Sequence, residues 1–280
     1  MGPTPEFLVV GHVTRDLLAD GTYRMGGTAL YAAVTSARLG YRPAVYTAAG
    51  PEMDLAPLYQ ATGGVDVVCR PVAATTTFHN RYRDGRREQF LLARAAPLAP
   101  DNLPPDWRTI PRVLLGPVAQ EVLPAWQERF PAATRGACLQ GWLRAWDGDG
   151  RVRFLPWSEA DQWLPHVTAA FLSVEDLADR SDLAEEYARY CPLLLLTAGP
   201  RGATLFQEGR PQAVAAFPAH EVDPTGAGDV FATAFLLRYS EGAAPAVAAR
   251  FAAAAAALSV QGPGVTGIPS RPAVEALLRG

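Results

Sequence analysis

Short apolar runs alternate with longer apolar-rich stretches along the chain, the pattern of buried strands feeding helices. Glu6 to Val10, Ala44 to Ala48, Val113 to Gly116, Ala137 to Gln140, Ala170 to Ser173, Leu193 to Thr197 and Ala203 to Gln207 read as strands. Ala29 to Leu39, closed by Gly40, reads as a helix, as do Val122 to Phe130, Val230 to Tyr239, Ala246 to Val260 and Ser270 to Leu278. Gly11 to Tyr23 reads as a loop or short strands containing Asp16. Thr75 to Tyr82 and Arg87 to Leu92 alternate across Arg83-Asp84-Gly85-Arg86, a hairpin signature with Asp-Gly at the turn. The alternation predicts a doubly wound α/β/α sandwich, and the inserted hairpin a small β-lid.

Composition narrows the chemistry. With 280 residues, 49% of them hydrophobic, the chain has material for one large α/β domain or two small ones. A net charge of -3 gives no electrostatic reason to expect nucleic acid or an anionic membrane as partner. All 25 cationic residues are Arg, which excludes a G-x-x-x-x-G-K-[ST] phosphate loop and a Lys Schiff base. Phosphate chemistry would rest on backbone, Arg and metal. Cys69, Cys138 and Cys191 are too few and too scattered for a disulfide framework, and His12, His79, His166 and His220 lack metal-ligand spacing. No basic and apolar leader precedes Glu6 and no apolar run reaches ~18 residues, so a cytoplasmic location is expected. The six Trp residues read as core or rim packing, since nothing arranges them for stacking bases.

The densest chemistry lies in Asp223-Pro224-Thr225-Gly226-Ala227-Gly228-Asp229, set directly against the apolar run from Val230. Two glycines at a helix start let backbone N–H groups crowd an anion, and the dipole favours negative charge there. Asp229 falls in the first turn, within reach of a hydroxyl attacking phosphorus. The plainer reading makes Asp223 or Thr225 a helix cap, the glycines an entry turn and Asp229 a dipole partner.

This heptapeptide resembles the C-terminal signature of the ribokinase family, the PfkB-type carbohydrate kinases, and Gly11, Asp16, Gly26-Gly27 and Ala37-Arg38-Leu39-Gly40 match that family's N-terminal region. The resemblance implies one kinase domain over 1–280, with a lid from segments near 12–25 and 75–93. It implies Asp229 as general base with Gly226, Ala227 and Gly228 as anion hole, and Asp16, Gly26 and Gly27 as substrate contacts. The family's usual Asn four residues after the glycine pair is here Tyr31, which points away from ribose and towards a cyclitol such as myo-inositol. His79 and Asn80 on the hairpin and Arg144 beyond a strand end are further substrate candidates, against solvated-face readings for all three. Thr197, Gly199, Gly202, Thr225, Gly262 and Gly264 fall where the family holds ATP. Ser173-x-x-Asp176 stands where it orders Mg²⁺ waters, and Asp223, Thr225 and carbonyls near Gly262 and Gly264 resemble its K⁺ site. Monomer and homodimer stay equally open. The rival readings are a nucleoside or ribose-type kinase, a silent sugar-binding relative, and an NAD-dependent dehydrogenase, disfavoured because no G-x-G-x-x-G follows the first strand.

Overall fold

In β1 (Phe7–Val10) all four residues are buried, and the period-2 alternation sends Phe7 and Val9 into one apolar core and Leu8 and Val10 into another. A strand buried on both faces belongs inside a parallel sheet. On one side β1 pairs with β4 (Pro43–Ala49), which carries β5 (Asp66–Pro71). On the other it pairs with β8 (Arg112–Leu115), followed outward by β9 (Thr134–Cys138), β12 (Ala169–Ser173) and β13 (Leu193–Thr197), all parallel. Antiparallel β14 (Ala203–Gln207) and β15 (Arg210–Val214) complete nine strands. This computed structural model describes residues 4–83, 86–126, 128–178 and 180–280.

The first core is covered by α1 (Thr28–Arg38), α2 (Ala56–Thr62), α5 (Ala227–Ser240), α6 (Pro245–Ser259) and α7 (Arg271–Arg279). Covering the second are α3 (Ala160–Trp163), α4 (Asp182–Tyr187) and several single-turn segments, with Trp142 stacked on Trp157 at 4.5 Å. The sandwich expected from the alternation is therefore present; Trp107, Trp126, Trp142, Trp157 and Trp163 pack its core, and Trp146 packs against the smaller cluster of Phe78, Leu91, Val118 and Ala119. The helix expected over Val122 to Phe130 is not. Val122 bridges in parallel to Leu98, and among the described residues that follow only the turn Pro124–Trp126 forms. Periodicity misleads there because the bridge to Leu98 holds Val122 extended, and the Leu98 carbonyl also accepts the Trp126 indole N–H at 2.9 Å.

A second sheet runs β3-β2-β6-β7, from β2 (Thr14–Leu17), β3 (Tyr23–Gly26), β6 (Thr77–Arg83) and β7 (Arg86–Ala93). The expected Asp84-Gly85 turn lies outside the described residues. The hairpin of β10 (Arg144–Trp146) and β11 (Val152–Phe154) joins this sheet through a bridge between Phe90 and Arg151.

In the large sheet the winding reverses between β1 and β8, because β4 and β5 lie on one side and β9, β12 and β13 on the other. Connections leaving two such strands diverge and open a crevice beyond their C-terminal ends. Gly11 and Gly116 flank this point, and a Cβ on Gly11 would come within 2.2 Å of the Gly116 carbonyl oxygen. The small sheet begins three residues past Gly11, so it stands over that crevice.

Candidate active site

Helix α1 enters the crevice through Gly27, whose φ of 90° suits glycine and whose missing Cβ would sit 2.5 Å from the His12 carbonyl oxygen. The entry places Thr28 at the first helical position. Gly116, at the end of β8, leaves it room, since a Cβ there would lie 2.3 Å from Thr28 Cγ2. Opposite, Asp229 occupies the first turn of α5, and its carboxylate is hydrogen-bonded by the Thr28 side chain. Burial, with help from the neighbouring Asp176 charge, pushes the Asp229 carboxyl up to about 6, while the Thr28 hydrogen bond and Arg144 pull it down. Such a group is ionised at neutral pH yet basic enough to take a proton.

The residues before Asp229 are shaped by Tyr31. Gly226 caps α5 at φ 78°, and a Cβ there would meet the Tyr31 ring at 2.1 Å. Tyr31 is buried, which raises its phenol pKa above the ordinary value, so the hydroxyl stays protonated. Gly228 differs from Gly226. A Cβ on Gly228 would meet nothing within 4 Å, so open space faces the start of α5. Ala227 is a correction to the expected anion hole: its N–H turns back to the Pro224 carbonyl at 3.2 Å, which leaves Gly228 and Asp229 as the freer first-turn donors.

Asp16 and Arg24 are directly opposed on β2 and β3, so their side chains share one face of the small sheet. Gly26 makes room for Asp16, since a Cβ there would sit 2.3 Å from Asp16 Oδ2. Arg24 crosses to the Asp223 carboxylate, with Nη1 3.2 Å from Oδ2. The same Oδ2 accepts the Gly264 N–H at 2.9 Å, and Oδ1 accepts the Thr225 N–H at 3.0 Å. Burial alone would raise the Asp223 pKa, but hydrogen bonds from Thr225 and Gly264 and the Arg24 charge outweigh it and hold the carboxyl below its usual range.

On β6 the face shared with Asp16 carries Phe78 and, by alternation, Asn80, which accepts a hydrogen bond from Gln89 at 3.0 Å. His79 falls on the opposite face beside Arg81, at 3.3 Å, so the expectation that it lines the crevice is corrected by the strand's period. Arg144 is half-buried rather than on the surface. It donates to the Val118 carbonyl at 2.9 Å and lies over the Phe78 ring at 5.4 Å. It lines a cleft of about 320 Å³ together with Gln89, Gln140 and Asp176.

Ser173 and Asp176 form a reciprocal capping box, and Asp176 Oδ1 also accepts from Gln140 at 3.0 Å. The helix-start reading therefore holds, and it leaves Asp176 facing the cleft near Asp229. Among the described residues no cluster of three or more His, Cys, Asp or Glu is arranged to hold a metal. Thr197, Gly199 and Gly202 lie at the end of β13 and in the following turn, where a Cβ on Gly202 would lie 2.2 Å from the Val214 carbonyl oxygen and one on Gly199 would meet nothing within 4 Å. Beyond α6, Gly262 packs on Gly267, and Gly264 brings its built Cβ within 3.9 Å of Tyr31 Oη. Thus Thr225, Gly226 and Gly264 come together around Asp223 and Tyr31, Asp229 meets Thr28, and Asp16 lies against Gly26 just before α1.

The pfkB family carbohydrate kinase pattern matches residues 154–271, which include the whole 223–229 segment. A second match runs over most of the chain: inositol 3-kinase from Oryza sativa subsp. japonica is 32% identical over 253 residues, 82% of this chain and 62% of that protein. The chain belongs to the pfkB family of carbohydrate kinases. It spans under two thirds of that relative's length. Among solved structures, a pyrophosphate-dependent kinase in the ribokinase family superposes with a TM-score of 0.80 at 23% identity, covering 96% of this chain and 99% of that one. Arabidopsis thaliana ribokinase complexed with ribose and ATP gives 0.77 at 22% identity, covering 99% and 100%. Both share the fold.

Three residues at the centre of this geometry escaped the sequence reading. Thr28 carried a signal, since it directly follows Gly26-Gly27 at the helix start. Phe78 was one residue from the positions chosen. Arg24 carried none: its partner Asp223 lies 199 positions away.

Proposed function

We propose that this chain is an ATP-dependent kinase that phosphorylates a hydroxyl of a small cyclic polyol, with a cyclitol such as myo-inositol as the best acceptor. The observation that carries the reading is Asp229, a carboxyl near pKa 6 at the start of α5, held by Thr28 at the floor of the crevice. In the reaction Asp229 takes the proton of the attacking hydroxyl. The new O–P bond forms as the bridging P–O bond to the leaving diphosphate breaks, and ADP departs with that electron pair. The N–H groups of Gly228 and Asp229 face charge on the phosphoryl group in flight, with Arg144, whose charge acts on Asp229, as a side-chain cation.

Asp16 accepts hydrogen bonds from neighbouring acceptor hydroxyls, with the Gly26-Gly27 backbone beneath and Asn80 on the lid above. Tyr31 stands at the chain position where an amide would suit a furanose, which favours a cyclitol ring. On the donor side Thr197, Gly199 and Gly202 flank the nucleotide, with Thr225, Gly262 and Gly264 behind its phosphates. Mg²⁺ neutralises those phosphates when bound. Ser173 and Asp176 fit it through water, because the Ser173 cap occupies Asp176 Oδ2 and Gln140 donates to Oδ1.

A screen of cyclitols, pentoses, hexoses and nucleosides with Mg-ATP, following ADP release, tests the proposal, with pyrophosphate as an alternative donor arm. Turnover of a cyclitol at higher kcat/KM than ribose or any nucleoside is expected. Ribose or a nucleoside leading clearly would overturn the acceptor assignment, and tight polyol binding with no donor consumed would support the silent-relative reading, in which Asp229 is only a helix-terminal carboxylate.

A further inference from the structure

Around the place expected to hold a monovalent cation behind the anion site, two carbonyl oxygens and the Asp223 carboxylate are already engaged. A potassium ion needs several carbonyl or carboxylate oxygens in place of its water. Here the Val260 carbonyl accepts the N–H groups of Val222, at 2.7 Å, and Asp223, at 3.1 Å. The Pro263 carbonyl accepts the Thr266 hydroxyl at 2.6 Å and the Thr266 N–H at 3.2 Å. Each of these oxygens has two lone pairs and two donors. Gly264 turns its N–H, not its carbonyl, towards Asp223. The remaining anion, Asp223 itself, already faces the Arg24 guanidinium, which also comes within 4.0 Å of a Cβ built on Gly264.

We propose that Arg24 is a built-in substitute for that cation, so the enzyme works without potassium and its anion site is held by a charge carried on the lid. A diffusible ion would stabilise the 223–226 turn regardless of the lid. Arg24 does so only while β3 is seated, and β3 is paired with β2 at Asp16, the residue assigned to the acceptor hydroxyls. One antiparallel pair thereby links the acceptor seat to the Asp223 turn that leads into α5. Arg24 is a positioning residue in this scheme. It acts on phosphoryl transfer through Asp223, Thr225 and Gly226.

The inference rests on the kinase reading for its catalytic consequence, but its ion-binding core does not. Thermal unfolding of the wild type in KCl and in choline chloride at matched ionic strength should give the same Tm, whereas Arg24→Ala should start lower and gain Tm saturably with KCl. In turnover, wild-type kcat should be indifferent to KCl. Arg24→Ala should lose about 10-fold or more in kcat with acceptor KM changed far less, and K⁺ or millimolar guanidinium should restore part of it. Arg24→Lys, which keeps a point charge, should stay potassium-independent and decides the matter if Arg24→Ala does not fold. A saturable K⁺-dependent rise in wild-type Tm overturns the proposal, as does an Arg24→Ala protein with wild-type Tm in choline chloride and no response to KCl. If no acceptor is turned over, the kinase reading fails alone, and the unfolding data still decide whether Arg24 stands in for an ion.

Discussion

On the wall proposed for the acceptor, side chains hold one another: Thr28 binds Asp229, Tyr31 backs Gly226, and Asp16 faces Arg24, which grips Asp223. On the wall proposed for the donor, a Cβ on Gly199 would meet nothing within 4 Å. The turn it belongs to closes on its own backbone, with Ala198 donating to the Gly202 carbonyl at 2.7 Å. The contrast follows from what each side must do. Discriminating one polyol from another requires fixed polar groups whose mispairing costs free energy, whereas a phosphate chain is bound by backbone and metal, whatever side chains flank it. If this comparison is right, substitutions on the acceptor wall should change chemistry sharply and those on the donor wall should not.

The largest expected effect is at Asp229. Asp229→Asn keeps size and helix start but removes the base, so kcat should fall about 10²–10⁴-fold with polyol binding retained. Stability should move the other way. A carboxyl at about 6 in the folded protein and ~3.9 unfolded contributes stability that is fully present below pH ~4 and lost as pH rises through about 6. The loss is at most about 3 kcal/mol, and less because the residue is only half-buried. Asp229→Asn should therefore raise Tm by about 2–6 °C at pH 8 and leave it nearly unchanged at pH 4. A variant that keeps most of the wild-type kcat would reduce Asp229 to a dipole partner.

Next come the two glycines of the signature, which sharpen the comparison within one wall. Gly226→Ala forces a Cβ against the Tyr31 ring from a left-handed backbone, so it should destabilise the fold by about 2–4 kcal/mol. Gly228→Ala meets no neighbour and improves helix propensity, so Tm should hold or rise. Its methyl group enters the space facing the start of α5, and displacement of a phosphoryl group by ~1 Å should cost about 10²-fold in kcat. Equal losses of stability in the two variants would show that Gly228 is a packing residue as well.

Much of this was legible in the chain. The strands that can be recognised from four or five consecutive apolar residues are there because parallel strands are buried on both faces, and the 223–229 segment carries its chemistry within seven residues. What sequence alone did not yield depends on distant pairing. The side of the small sheet on which His79 and Phe78 fall is set by their register with β2, and Arg24 meets Asp223 only after the small sheet folds over the crevice. The Val122 to Phe130 error has the same origin, since Leu98 captures that segment from a distance.

A smaller effect should appear in the pH profile. kcat/KM should rise with pH through about 6 as Asp229 ionises. Arg144 favours the ionised form and Asp176 opposes it, so Arg144→Met should move this limb to higher pH and Asp176→Asn to lower pH. Limbs that stay in place in both variants would mean that neither charge acts on Asp229 across the cleft.

The smallest effect is expected on the donor wall, at Gly199. Its φ of 56° is left-handed, so Gly199→Ala carries a backbone cost of about 1 kcal/mol, but the new methyl meets nothing within 4 Å. Neighbouring Gly202 provides the control: at φ 89° its Cβ would strike the Val214 carbonyl oxygen at 2.2 Å, so Gly202→Ala must shift β15 against β14 and should lower Tm well beyond the Gly199 variant. If the donor is held by backbone rather than by shaped side chains, Gly199→Ala should change KM for ATP by no more than about 2–3-fold, with acceptor KM unaffected, because the turn keeps its hydrogen bonds and only its rim gains a carbon. Steady-state kinetics with ATP varied at saturating polyol reads this directly. A tenfold rise in the ATP KM, without a matching loss of Tm, would mean that this turn closes on the nucleotide as tightly as Thr28 and Tyr31 close on Asp229 and Gly226, and the contrast between the two walls would not survive it.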